Sequence, residues 1–133
     1  MSAHLLQLGF VLIVLGLLTG LIVQKTANPR MALSSHLEGI FNGLLLVVLG
    51  LVWSRLDLGH TWLVTTFWLS VYSAYANWLV TLLAAIWNAG RLMPIAAPGR
   101  QGTATRERVI NGLLATLSIA IIAACVIIVV GLS

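Results

Sequence analysis

Charged side chains divide the chain into four apolar stretches, at 5–23, 39–54, 61–90 and 109–133. None shows the period-two alternation of a half-buried strand. A transmembrane helix needs about 20 apolar residues, within a range of roughly 17–25. The first and last stretches satisfy this directly. The second does so if its polar first turn lies among headgroups, and the length of the third implies tilt or projection beyond the bilayer. Hydrocarbon admits only helices and closed barrels, because every backbone N–H and C=O must find its partner within the protein. The pattern therefore predicts an all-α fold, a four-helix transmembrane bundle forming one membrane domain over 1–133. Its helices are expected near 4–24, 35–55, 61–90 and 106–132. Four short helices make a thin bundle, so an oligomer is expected.

Local signals refine the boundaries. Ser35 followed by Glu38 has the spacing of a capping box, which predicts the start of the second helix and leaves Pro29 in the preceding loop. Pro94, Pro98, Gly99 and Gly102 mark the only long connection, after which Arg106, Glu107 and Arg108 open the fourth helix. The first apolar run has no basic segment before it and is long enough to span, so it reads as a retained helix and not as a signal peptide.

Composition excludes a soluble domain. Hydrophobic residues make up 60% of the chain and charged residues 8%, against about 25% charged in ordinary globular proteins. The net charge of +4 does not point to nucleic acid, because the arginines lie at the ends of apolar runs and form no patch with spaced aromatics. They read as topology signals. Loops one and three carry Lys25, Arg30, Arg91, Arg100, Arg106 and Arg108, and the opposite side only Arg55. By the positive-inside rule, loops one and three face the cytoplasm. Trp53, Trp62 and Trp87 lie near helix ends, where interfacial anchors belong. Cys125 is the single cysteine, which excludes a disulfide framework and a cysteine metal site within one chain; a buried inert thiol is expected.

Gly16 with Gly20, and Gly39 with Gly43, are GxxxG pairs that allow close helix approach, within the chain or at an oligomer interface. Alternatively, Gly39 and Gly43 leave room for a flat ligand. Intramembrane polar groups are costly and often functional. They include His36 and Asn42 in the second span and Ser70, Ser73, Asn77, Thr81 and Asn88 at helical spacing in the third, with Tyr72, Tyr75 and Trp78 nearby. Serine and threonine can bond their own helix backbone, and intramembrane asparagine often serves as structural glue. A more pointed reading brings His36, Asn42 and Asn77 to one pocket. Neutral imidazole is the commonest metal ligand and suits haem iron. Positions 36 and 42 differ by about 120° around a helix, so they would line a broad face. Glu38 is explained by capping; partnering His36 or donating a proton is the alternative. No pair of acids and no Ser/His/Asp set supports hydrolysis.

The stretch Asn28-Pro29-Arg30-Met31, followed by Leu33-Ser34-Ser35-His36-Leu37-Glu38-Gly39 and Asn42-Gly43, resembles the bacterial hydroxylaminobenzene mutase family. The related styrene oxide isomerases share a His followed six positions later by Asn-Gly, matched by His36, Asn42 and Gly43, and an Ala-Asn pair matched by Ala76 and Asn77. The resemblance implies a membrane isomerase that rearranges hydroxylaminobenzene to 2-aminophenol, a Bamberger-type reaction. It also implies a homotrimer with haem b between subunits, ferric iron acting as Lewis acid. His36 would then be the iron ligand, with Gly39 and Gly43 beside the cofactor. Asn42 and Asn77 would orient the substrate oxygen, and aromatic faces such as Tyr75 would ease positive charge on the ring. The isomerase relatives have a Tyr where this chain has Thr81, which favours the mutase over an aryl epoxide isomerase and leaves Thr81 as a substrate contact. The implied location is a bacterial cytoplasmic membrane, with lipid and a small aromatic hydroxylamine as partners. The competing classes are a small membrane transporter and a haem-binding membrane protein without turnover.

Overall fold

The computed structural model describes residues 1–133 as helices joined by two short connections and one long one, 88–103. The helices are α1 (Ser2–Ile22), α2 (Pro29–Val52), α3 (His60–Trp87) and α4 (Ala104–Leu132). All four are long and apolar enough to cross a membrane, so the chain is a multi-pass membrane protein of all-α class. At 1.5 Å per residue, the 21 residues of α1 extend about 32 Å, close to the roughly 30 Å hydrocarbon thickness. The 28 and 29 residues of α3 and α4 exceed it.

The second helix begins at Pro29, six residues before the capping-box reading placed it. Asn28 is its N-cap, accepting from the Met31 N–H through Oδ1 at 3.2 Å. Proline at the first helical position lacks only an N–H that would have no intrahelical partner there. Ser35 does not cap. It is buried in the second turn and donates to the Trp78 carbonyl at 3.0 Å. Asn28 also joins three elements: its N–H donates to Ala85 O at 3.1 Å and its Nδ2 to Ala96 O at 3.1 Å. The third helix ends at Trp87, where Asn88 adopts a left-handed conformation (φ 53°) as C-cap. Thr103 caps α4.

The helices pack in chain order. α1 and α2 run antiparallel with almost no side-chain layer between them. A Cβ on Gly39 would lie 2.5 Å from Gly16 Cα, and one on Gly43 would lie 2.7 Å from Gly9 O. α2 packs on α3, and α3 on α4 through the small residues Ala76, Val80 and Ala84 against Ile110 and Leu117. α1 and α4 flank this array and turn apolar side chains outward, among them Phe10, Leu17, Leu21, Ile119, Ile122 and Val129. In lipid these need no cover. Cys125, expected to be buried, lies on this exposed face of α4.

The connection from α3 to α4 is tied down by Glu107. Its carboxylate accepts from the backbone N–H groups of Gly90 (3.1 Å), Arg91 (3.0 Å) and Gly102 (2.8 Å). Arg100 donates to Ala27 O and to Asn88 Oδ1, and Arg106 stacks over Trp87 at 5.7 Å. Two of the basic residues read as topology signals, Arg100 and Arg106, therefore have contacts that hold the loops together.

Candidate active site

Two polar clusters lie on different sides of α2. Residues two apart on a helix point about 200° from one another, so His36 and Glu38 project in nearly opposite directions. The single chain therefore does not gather His36, Asn42 and Asn77 into one pocket.

His36 faces α1. Its Nδ1 lies 2.8 Å from Gly16 O. A carbonyl can only accept, so Nδ1 carries the proton and Nε2 is left with a free lone pair. A hydrogen bond on one ring nitrogen in this way prepares the other for a metal. Space for the ring comes from Gly20, where a Cβ would approach His36 Nδ1 to 2.8 Å. Gly16 and Gly20 thus form the seat and backing of the imidazole. The expected flat-ligand slot at Gly39 and Gly43 is filled by α1; both glycines serve the α1–α2 contact. None of the five principal cavities borders His36. No three His, Cys, Asp or Glu side chains converge to cage a bare ion. A porphyrin-held iron needs a single protein ligand, and that is the donor His36 provides.

Glu38 faces α3 and is the hub of the second cluster. Its Oε2 accepts from Asn77 Nδ2 at 2.7 Å and from Asn42 Nδ2 at 2.9 Å. Asn42 Nδ2 also donates to the Glu38 carbonyl at 2.8 Å. Glu38 and Asn77 line a cavity of about 380 Å³ with Ser34 and Thr81. Its apolar walls are Met31, Leu114 and the loop residues Leu92, Met93, Pro94, Ile95 and Ala96. A cavity of about 150 Å³ is enough to hold benzene, so a one-ring ligand fits this space. Sequence reasoning assigned Glu38 to capping. The signal it carried was the i, i+4 spacing to Asn42, which puts the two side chains on one face.

The remaining candidates divide between the cavity and the scaffold. Thr81 lines the cavity while its hydroxyl donates to the carbonyls of Asn77 (2.9 Å) and Trp78 (3.0 Å). Tyr75 is turned away, and its hydroxyl donates to Leu8 O on α1 at 2.8 Å. Trp78 Nε1 donates to Thr19 Oγ1 at 3.0 Å, and Tyr72 pairs with Thr116 at 2.6 Å. These aromatic residues fasten α3 to its neighbours. Ser73 bonds to the Ser70 carbonyl and Asn88 caps the helix, so the stripe expected along α3 narrows to Asn77 and Thr81 at the cavity.

Four helices long and apolar enough to span a membrane, a hydrogen-bonded imidazole and an acid–amide cavity between α2, α3 and the α3–α4 connection define a polytopic membrane protein with a polar site among its helices. The family model described as styrene oxide isomerase matches residues 1–133, and the chain belongs to that family. Hydroxylaminobenzene mutase HabB of Ectopseudomonas oleovorans is 51% identical over 126 residues, covering 94% of this chain and 77% of that protein. Hydroxylaminobenzene mutase HabA of the same organism is 47% identical over 133 residues, covering 99% and 98%. The chain is accordingly an isomerase of the mutase type. No solved structure matches it.

Proposed function

We propose that the protein rearranges hydroxylaminobenzene to 2-aminophenol in a bacterial cytoplasmic membrane, with loops one and three inside, and that it holds haem b through His36. The observation that supports this reading is the imidazole itself, whose Nδ1–H is held by Gly16 O at 2.8 Å, so that Nε2 would be the atom to ligate iron. The names of the two relatives supply the substrate class. Ferric haem bound there would supply a Lewis acid able to stabilise negative charge on the departing oxygen.

The chain's own residues account for the rest. Substrate and product are isomers, so no oxidant or reductant is consumed. The N–O bond breaks with its electron pair leaving on oxygen, a C–O bond forms at the ortho carbon, and one proton moves from that carbon to nitrogen. Met31 and Leu114 give the cavity an apolar lining, and the exposed Leu92 and Ile95 would complete it under lipid or a second subunit, limiting the water that could trap the cationic ring. Asn77 and Thr81, which line the cavity, would hold the polar end of the substrate, with Asn42 beside them on the Glu38 carboxylate. His36 and this cavity lie on different sides of α2, so their cooperation would require a second copy of the chain. The homotrimer with haem between subunits is the assembly that the resemblance to the isomerases implies.

Purified protein should convert hydroxylaminobenzene to 2-aminophenol without a reductant and show a Soret band. His36→Ala should lose both the band and turnover. Full turnover by colourless protein would remove the haem from the scheme, and absence of 2-aminophenol from haem-replete protein would remove the reaction.

A further inference from the structure

The two asparagines are not free to choose how they meet a substrate. An amide has a donor end and an acceptor end. Asn42 uses both Nδ2 hydrogens within the chain, one on the Glu38 carbonyl and one on Glu38 Oε2. Asn77 uses one of its two on the same carboxylate oxygen. Reversing either amide would place its oxygen against acceptor oxygens at 2.7–2.9 Å, replacing attraction with repulsion. Glu38 therefore locks both carboxamides with nitrogen inward and Oδ1 outward. Neither Oδ1, nor Glu38 Oε1, takes part in a hydrogen bond within the chain. Asn42 and Asn77 are only half-buried and lie near the middles of α2 and α3, where the surroundings are apolar and an unmet oxygen is costly.

We infer that Glu38 is a positioning residue that makes the site acceptor-rich and so selects ligands carrying N–H and O–H protons over ligands that can only accept. The inference rests on the mutase reading and sharpens its substrate class. An aryl hydroxylamine brings one N–H and one O–H to these oxygens. An aryl epoxide brings neither, and in an apolar pocket it leaves the amide oxygens without partners. A site built to bond a substrate proton rejects the analogue lacking it far more strongly than a merely apolar pocket rejects a change in size. Asn42 has no N–H left for a substrate oxygen, so its part in orienting substrate is played through its carbonyl.

The test compares hydroxylaminobenzene with styrene oxide as a competing ligand in wild type and Glu38→Gln, using haem-loaded protein in detergent. A glutamine either keeps its oxygen on the two asparagines and turns its NH2 group to where Glu38 Oε1 stood, or offers that NH2 group to Asn77 and lets this amide reverse; in both cases the site gains a donor end. The KM for hydroxylaminobenzene should rise and the inhibition constant of styrene oxide should fall, with their ratio moving at least tenfold. A purely structural loss would weaken both ligands together, and either that result or an unchanged ratio overturns the inference. Should Glu38→Gln fail to fold, wild-type protein decides the matter. The N-methyl and O-methyl derivatives of hydroxylaminobenzene should each bind at least tenfold more weakly than its ring para-methyl derivative, which adds the same bulk and keeps both protons. Equal binding of all three overturns the inference while leaving mutase turnover intact. A wild-type protein that produces no 2-aminophenol removes the mutase reading and this inference with it.

Discussion

Gly20→Ala isolates the hydrogen bond that prepares His36. The added Cβ would lie 2.8 Å from His36 Nδ1 and 2.9 Å from Cε1. Ordinary contact is about 3.5–4.0 Å, so the ring must retreat by about 0.7–1.2 Å. Gly16 O and Gly20 lie one turn apart on α1, so a ring pushed off one leaves the other. The Nδ1 to Gly16 O distance of 2.8 Å would then pass the limit of about 3.2 Å for a good bond. Losing that bond costs about 0.5–1.5 kcal/mol, and replacing a helical glycine by alanine returns about 0.8–1.0 kcal/mol. Fold stability should therefore stay close to wild type. Haem affinity should not, because groups that orient a metal-binding histidine typically contribute 10–100-fold, or about 1.4–2.7 kcal/mol. Titrating haem into apo-protein and following the Soret band, beside a thermal unfolding curve, reads both quantities. A Gly20→Ala protein with wild-type haem affinity and an unchanged Soret maximum would refute the assignment of Nε2 as the ligand prepared by Gly16.

Gly39→Ala acts on helix packing instead: a Cβ 2.5 Å from Gly16 Cα forces α1 and α2 apart, and overpacking of this kind costs about 1–3 kcal/mol, measurable as a lower unfolding midpoint; an unchanged midpoint would contradict the close approach. Tyr75→Phe removes only the bond to Leu8 O, so stability should fall by about 0.5–1.5 kcal/mol with kcat within about threefold of wild type; a collapse of kcat at full stability would return Tyr75 to the active site. Glu107→Ala strips the acceptor from three backbone N–H groups, at about 1–3 kcal/mol for each one left unmet, and should make 91–103 the first segment cut in limited proteolysis. Protection equal to wild type would show that the loop is held by other means.

The membrane spans, their number and their helical state follow from local composition. Runs such as 5–23 and 109–133 are too long and apolar for water, and the bilayer obliges their backbones to bond within the helix. The polar residues worth inspecting were also visible, since His36, Asn42 and Asn77 stand out in apolar surroundings. The start of α2 was misplaced: of two acceptable openings, Asn28 before Pro29 and Ser35 before Glu38, only the second was read from the sequence. Contacts of Asn28 with Ala85 and Ala96, and of Ser35 with Trp78, select the first.

Which way each polar group turns was settled only by the packed helices. A soluble helix marks its inner face with an apolar stripe, but helices that are apolar on every side carry little mark of how they are rotated against one another. The sequence alone could therefore name His36 without its partner Gly16 O, and Glu38 without the two amides it orients. It could equally read Gly39 and Gly43 as a slot, although α1 fills that space. Composition and length place the helices in the bilayer. Their relative rotation, set by glycine contacts of a few ångströms, decides what each buried polar atom meets and hence what chemistry it can perform.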